Sequence, residues 1–280
     1  MAMLAVGMEL NVEQFRVLFR EPRIPVVGTI IHSLTFPLIA VTAILGLQTL
    51  GIALVEATII GVLLIAACPS GGFSNILTLM ARANLPLSIV LTAVSSIFSF
   101  LTVPLLLGGF GLMVSALQGS IELPVAQILL QLLALVLAPV GLGMWLSTTF
   151  NWLNPTKITQ SQKWTQLALY VVVALMIIEN WQVMVSGFVS ALPWSIGLCV
   201  TNIWACFFLA RKFRLKQDDA ITVSLEGSVR NLGVAFLIAA NTLDRIDIAV
   251  LPTVYFLTVL VVSILFAKNW RLLPGFNAQH

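Results

Sequence analysis

Cys68-Pro69-Ser70-Gly71-Gly72-Phe73-Ser74-Asn75 stands in the middle of an apolar stretch running from residue 52 to 82, and its reading decides the fold. Proline withholds a backbone donor and clashes with the preceding turn, and paired glycine adds freedom, so a helix entering this stretch is interrupted here. Two serines and an asparagine place side-chain oxygens at the interruption. A second break, Ser224-Leu225-Glu226-Gly227-Ser228-Val229-Arg230-Asn231-Leu232-Gly233, lies inside the apolar stretch 219–241 and adds a carboxylate and a guanidinium. Ionisable groups inside an apolar span are costly and mark function.

The surrounding composition says what kind of span this is. Apolar residues make up 59% of the 280 positions and charged residues 9%, far from the balance of a water-soluble domain. Runs such as 26–47, 123–146 and 252–267 approach or match the roughly 20 residues that cross a bilayer as helix, and helices satisfy their own backbone in hydrocarbon. The fold class is all-α and polytopic, with the lipid bilayer as partner. A net charge of +3 raises nucleic acid as a partner, but the basic residues are scattered over short loops and form no patch, which excludes it. Cys68, Cys199 and Cys206 fall inside apolar segments without metal-ligand spacing and read as buried thiols. The start of the chain has no basic n-region or cleavage site, so a removable signal peptide is not expected.

The predicted spans are a short piece 1–10, then 24–46, 52–82 (interrupted), 85–108, 122–147, 164–187, 189–210, 219–241 (interrupted) and 247–267, about nine with the first partial. Threading them with alternating sides places Arg16, Arg20, Arg23, Arg82, Lys157, Lys163, Arg211, Lys212, Arg214, Lys216, Lys268 and Arg271 on one face and Arg245 alone on the other. That asymmetry predicts an N-terminus outside and a C-terminus in the cytoplasm. Short exposed loops and the lack of a glycosylation sequon favour a bacterial inner (plasma) membrane. Trp145, Trp152, Trp164 and Trp270 sit near span ends, as interfacial anchors do. Sliding the chain by 156 positions matches Gly71 with Gly227, Asn75 with Asn231, and residues 100–103 with 256–259. Offset by an odd number of spans, the matched segments run in opposite directions, the inverted-repeat plan of secondary transporters. The first half lacks a partner for 122–147, so the chain reads as N-terminally short by one and a half helices, through a late start codon or truncation.

The first break with its trailing Arg82-Ala83-Asn84-Leu85-Pro86-Leu87-Ser88 and Thr92, together with Glu226-Gly227, Asn231 and Gly233, resembles the bile acid:sodium symporters, bacterial members included. The resemblance covers residues 1 to about 267 and implies two discontinuous crossing helices. It implies a core transport domain at 24–108 and 189–268, panel-type helices at 1–23 and 109–188, and a cytoplasmic tail at 269–280. It implies a sodium ion held by Ser74, Asn75, Ser88, Thr92 and Glu226, each with an oxygen suited to a hard cation. The bland alternative is that the hydroxyls bond back to their own helices and the asparagine caps the break. At the family's second cation site this sequence has His32 and Arg230 where glutamine is usual, and a guanidinium has no acceptor for sodium. Arg230 then stands in place of the second sodium, or forms an i, i+4 pair with Glu226, or grips a substrate carboxylate. Asn231 resembles a substrate-contacting amide, with capping of the next half-helix as its plain role. Gly72 falls where a hydroxyl is common, beside the bulk of Phe73, which leaves the substrate open among small and steroidal organic anions.

The expected function is sodium-coupled symport of a small organic anion by alternating access, one sodium per cycle, and no enzymatic activity. The rivals are an arsenite-efflux-like carrier using Cys68, a proton-coupled anion transporter using Glu226 and His32, and a non-transporting membrane scaffold. An intramembrane hydrolase finds no nucleophile with a base. Glu179 and Asn180 read as interfacial, and Thr201 and Asn202 as interhelical glue.

Overall fold

Long helices form where apolar sequence runs unbroken, and half-length ones flank each polar break. The computed structural model describes residues 22–96, 138–149 and 174–272, with a few isolated positions outside them. Among these, three helices are long and apolar enough to cross a membrane: α1 (Arg23–Thr49), α6 (Trp181–Lys212) and α9 (Ile246–Asn269). The first break separates α2 (Glu56–Ala67) from α3 (Phe73–Met80), followed by α4 (Leu85–Ser96). Helix α5 spans Ala138–Thr149. The second break separates α7 (Gln217–Ser228) from α8 (Leu232–Leu237), which runs into a π-helical turn at Ile238–Thr242. Helices α2 and α7 have 12 residues each, about 18 Å of rise, which reaches little beyond the middle of a ~30 Å hydrocarbon core. The panel-type helices predicted over 1–23 and 109–188, Trp152, and the last residues of the predicted tail fall mostly outside the described residues.

Helix α6 packs on α9, α7 and α1, and α7 lies against α1 and α3. The predicted boundary between spans at residue 188 is wrong: the chain turns at Asn180, and α6 begins at Trp181. Gly187 lies inside this continuous helix. A Cβ there would stand 2.8 Å from a methyl of Val250, so this glycine serves the approach of α6 to α9 and makes no turn. Asn180 instead donates to the carbonyl of Met176. Trp270 also departs from its predicted role. It is buried, and its Nε1 donates to the carbonyl of Ala81 at 3.1 Å, tying the end of α9 to the end of α3.

Hydrogen bonds at the helix ends sort the charges. Arg23 donates to the Phe213 carbonyl at 3.1 Å and Arg211 to the Leu215 carbonyl at 2.8 Å. With the Trp270–Ala81 bond, these gather Arg23, Arg82, Arg211, Lys212, Arg214, Lys216, Lys268 and Arg271 toward one end of the helices. At the opposite end Arg245 lies 2.9 Å from Glu56 and 2.6 Å from Asp247, joining the starts of α2 and α9. The lone basic residue of the outlying face is thus held between two carboxylates.

Candidate cation site at the helix crossing

The two breaks meet back to back. Ser70 and Arg230 form an antiparallel bridge, in which the Gly71 N–H donates to the Val229 carbonyl at 2.9 Å and the Asn231 N–H to the Pro69 carbonyl at 2.8 Å. Moving each residue to its mate 160 positions away converts one of these bonds into the other, so a local two-fold axis passes between Ser70 and Arg230. The structural register of the breaks therefore differs from the sequence offset of 156 by one helical turn. Gly71 and Gly227 are not equivalent. A Cβ on Gly71 would stand 3.1 Å from the Arg230 carbonyl, whereas one on Gly227, inside α7, would stand 2.7 Å from Cys206 Sγ. Asn75 lies within α3, while Asn231 precedes α8.

A helix ending in hydrocarbon must find partners for its last carbonyls. For α7, Ser70 Oγ donates to the Glu226 carbonyl at 3.0 Å and Tyr255 Oη to the Ser228 carbonyl at 2.7 Å. Asn202, on α6, donates to Ser228 Oγ at 3.3 Å, as expected of interhelical glue. Thus anchored, α7 presents Glu226, fully buried, to α3 and α4.

All five predicted cation ligands converge there. Glu226 Oε1 accepts from Ser74 Oγ at 2.6 Å, Ser88 Oγ at 2.5 Å and Thr92 Oγ1 at 3.0 Å, and Oε2 accepts from Thr92 at 3.1 Å. Asn75 Oδ1 lies 2.8 Å from Ser88 Oγ and 3.5 Å from Thr92 Oγ1. Ser74 Oγ and Thr92 Oγ1 also reach the carbonyls of Gly71 and Ser88, at 2.8 and 3.1 Å. Each hydroxyl has one proton and faces two or more acceptors. The cluster is rich in oxygen and poor in hydrogen, the donor set a hard monovalent cation requires. The back-bonding expected of a purely structural role is present too, but it leaves the carboxylate and amide oxygens competing for the same protons.

Arg230 points elsewhere. Nη1 donates to the Cys68 carbonyl at 3.2 Å, Nη2 to the His32 carbonyl at 2.9 Å, and the guanidinium carbon lies 5.0 Å from the centre of the Phe36 ring. No ion pair joins it to Glu226 among the described residues, because α7 ends at Ser228 and the i, i+4 geometry is lost between them. Position 32 meets the guanidinium through its main chain; the imidazole is fully buried, with neither ring nitrogen bonded to protein. Gly72 is the N-cap position of α3, which begins at Phe73, and Asn231 that of α8, which begins at Leu232. The Cα of Asn231 lies 3.5 Å from where a Gly71 Cβ would stand, which brings the two candidate substrate-contacting segments together.

Several partners were not singled out from sequence. Thr78 donates to Ser88 Oγ at 3.2 Å, Ser95 Oγ accepts the Ser70 N–H at 3.2 Å, and Asp219 and Thr222 each accept a hydrogen bond from Asn84 at the basic end. A signal existed: Asn84, Ser88, Thr92 and Ser96 recur every four residues, a polar stripe along one face of an otherwise apolar helix. Cys68, Cys199 and Cys206 are buried and free as predicted, and no group of three His, Cys, Asp or Glu residues gathers among the described residues.

The family model described as "Sodium Bile acid symporter family" matches residues 1–187. The "Uncharacterized sodium-dependent transporter YocS" of Bacillus subtilis is 31% identical over 105 residues, 38% of this chain and 31% of that protein. The "Probable sodium/metabolite cotransporter BASS1, chloroplastic" of Oryza sativa subsp. japonica is 26% identical over 278 residues, 97% of this chain and 64% of its own length. The human "Sodium/bile acid cotransporter 4" is 28% identical over 180 residues, 62% of this chain and 38% of that protein. The chain thus spans between 31% and 64% of the length of these relatives.

Proposed function

Given that the chain belongs to the sodium bile acid symporter family, whose members are transporters and not enzymes, we propose that it couples one sodium ion to the movement of one small organic anion by alternating access. The observation that carries this reading is the proton-poor set of oxygens from Ser74, Asn75, Ser88 and Thr92 around the buried Glu226 carboxylate. These residues would hold the sodium. Arg230 serves as a tethered second cation: its Nη donors rest on main-chain carbonyls of Cys68 and His32, the kind of oxygen a metal cation takes. With Glu226 negative and sodium and Arg230 positive, one net positive charge remains at the crossing, which favours an anion beside Gly72, Phe73 and Asn231. Two of the five N–H donors of Arg230 rest on these carbonyls and its buried Nε has no protein partner, so direct capture of a substrate carboxylate is a second reading that the Arg230→Gln variant separates from the first.

In this reading residues 24–108 and 181–268, with the boundary moved from 188 to the start of α6, form the moving core and 1–23 and 109–180 the panel against which it works, in a plasma membrane with the C-terminus in the cytoplasm. The test is the melting temperature of purified protein titrated with sodium against potassium, then screened with organic anions in saturating sodium. A Hill slope near one is expected. Arg230→Gln should raise it toward two while retaining anion binding; a slope near two in the unaltered protein, or loss of anion binding without a change in slope, refutes the assignment of Arg230. Stabilisation by arsenite that Cys68→Ser abolishes, or uptake following a pH gradient without sodium, would instead establish the metalloid or proton carrier.

A further inference from the structure

The cage draws Ser88 and Thr92 from α4 and Glu226 from α7, so its dimensions depend on how far one helix has slid along the other. One turn toward the basic end, a second set of bonds joins the same two helices. Asn84 Nδ2 donates to Asp219 Oδ1 at 2.7 Å. The Asn84 N–H donates to Thr222 Oγ1 at 3.1 Å, and Thr222 Oγ1 in turn reaches the Asn84 carbonyl at 3.3 Å. Asn84 also caps α4, its Oδ1 accepting the Leu87 N–H at 3.1 Å. Asp219 is 3% exposed.

The spacing makes these bonds rungs of one ladder. Asn84 precedes Ser88 by four residues and Thr222 precedes Glu226 by four, so the Asn84–Thr222 rung lies about 6 Å, one turn, below the Ser88–Glu226 rung. Because Asn84 is both the cap of α4 and the donor to Asp219, α4 cannot slip along α7 without breaking a charge-assisted bond in a buried setting. We propose that Asn84, Asp219 and Thr222 are positioning residues that set the register of α4 on α7, and thereby the cation affinity and size selectivity of the cage. Selectivity among hard cations follows cavity size, ligand number and rigidity; the lower rung supplies the rigidity. The proposal rests on the sodium reading of the cage.

The experiment uses the full chain purified in detergent, with sodium, lithium and potassium titrations followed by melting temperature and by tryptophan fluorescence. Asn84→Ala should raise the half-saturating sodium concentration on the order of tenfold, the loss of one charge-assisted bond, and should narrow the preference for sodium over lithium. Thr222→Val, which keeps the shape and removes the hydroxyl, should act in the same direction and carries the test where Asn84→Ala fails to fold. The exchanged pair Asn84→Asp with Asp219→Asn preserves the cap and the amide–carboxylate bond and should return half-saturation to within about threefold of the unaltered protein. Unchanged sodium half-saturation and selectivity in both Asn84→Ala and Thr222→Val, with only a lower melting temperature in potassium, overturns the proposal and leaves the sodium reading standing. No sodium response in the unaltered protein overturns the sodium reading, and the proposal falls with it.

Discussion

Replacing Glu226 by glutamine separates the work the carboxylate does for a cation from the work it does for the fold. The side chain is fully buried and accepts hydrogen bonds from Ser74, Ser88 and Thr92. All three donors are hydroxyls that can rotate, and a glutamine of the same length keeps an oxygen acceptor while its new N–H groups find the lone pairs of the same hydroxyls. Glu226→Gln removes a buried charge with no counter-ion within bonding distance, so the melting temperature in potassium should stay within a few degrees of the unaltered protein or rise. Sodium binding should respond very differently. A unit charge pair about 4 Å apart at an effective dielectric near 20 contributes roughly 4 kcal/mol, so affinity should fall about a thousandfold. At a sodium concentration one hundred times the dissociation constant, the unaltered protein should gain about 2.7 kcal/mol from binding, and the variant close to none. The assay is paired melting curves in sodium and potassium. A sodium-dependent gain in Glu226→Gln equal to that of the unaltered protein would refute the cage; a large loss of stability already in potassium would show that the carboxylate holds the fold and not an ion.

Two further outcomes follow from packing at the same crossing. Gly227→Ala places a Cβ 2.7 Å from Cys206 Sγ and should cost about 1–3 kcal/mol in thermal denaturation; adding Cys206→Ala should recover most of that, and a strictly additive loss in the double variant would contradict the contact. Tyr255→Phe keeps the ring edge-on to Phe36 at 5.6 Å but removes the bond to the Ser228 carbonyl, and should lower stability by about 1–2 kcal/mol, with no change in melting temperature counting against the role given to that hydroxyl in ending α7.

Much of this architecture is legible in the chain itself. Apolar runs of membrane length predict α1 and α9 to within a few residues, since hydrocarbon permits little but continuous helix. The breaks at 68–72 and 229–231 announce themselves through proline, glycine and polar side chains. The five residues that gather at the crossing are nameable in advance because the motif around Ser88 and the Glu226 break resembles a known family. Where the reading failed, one residue type had two possible uses. Gly227 looked like the repeat of Gly71 and proved to belong to the packing of α7 on α6. A glycine's spacing does not say whether its missing Cβ serves a turn or a neighbour.

The partners of charge were likewise decided in three dimensions. Glu226 and Arg230 stand four apart, which in an unbroken helix pairs them, yet α7 ends between them and sends the carboxylate to Ser74, Ser88 and Thr92 and the guanidinium to the carbonyls of Cys68 and His32. That outcome depends on where the last helical hydrogen bond falls and on which carbonyls the opposite break leaves open. Sequence alone determined that this chain is a bundle of membrane helices with two polar interruptions and an excess of basic residues on one side, because bilayer thickness and backbone satisfaction act on composition and run length. Only the tertiary structure decided that the interruptions meet across a local two-fold axis, one gathering oxygens around a carboxylate and the other anchoring a guanidinium, because those contacts join residues about 130 to 200 positions apart whose meeting no local pattern encodes.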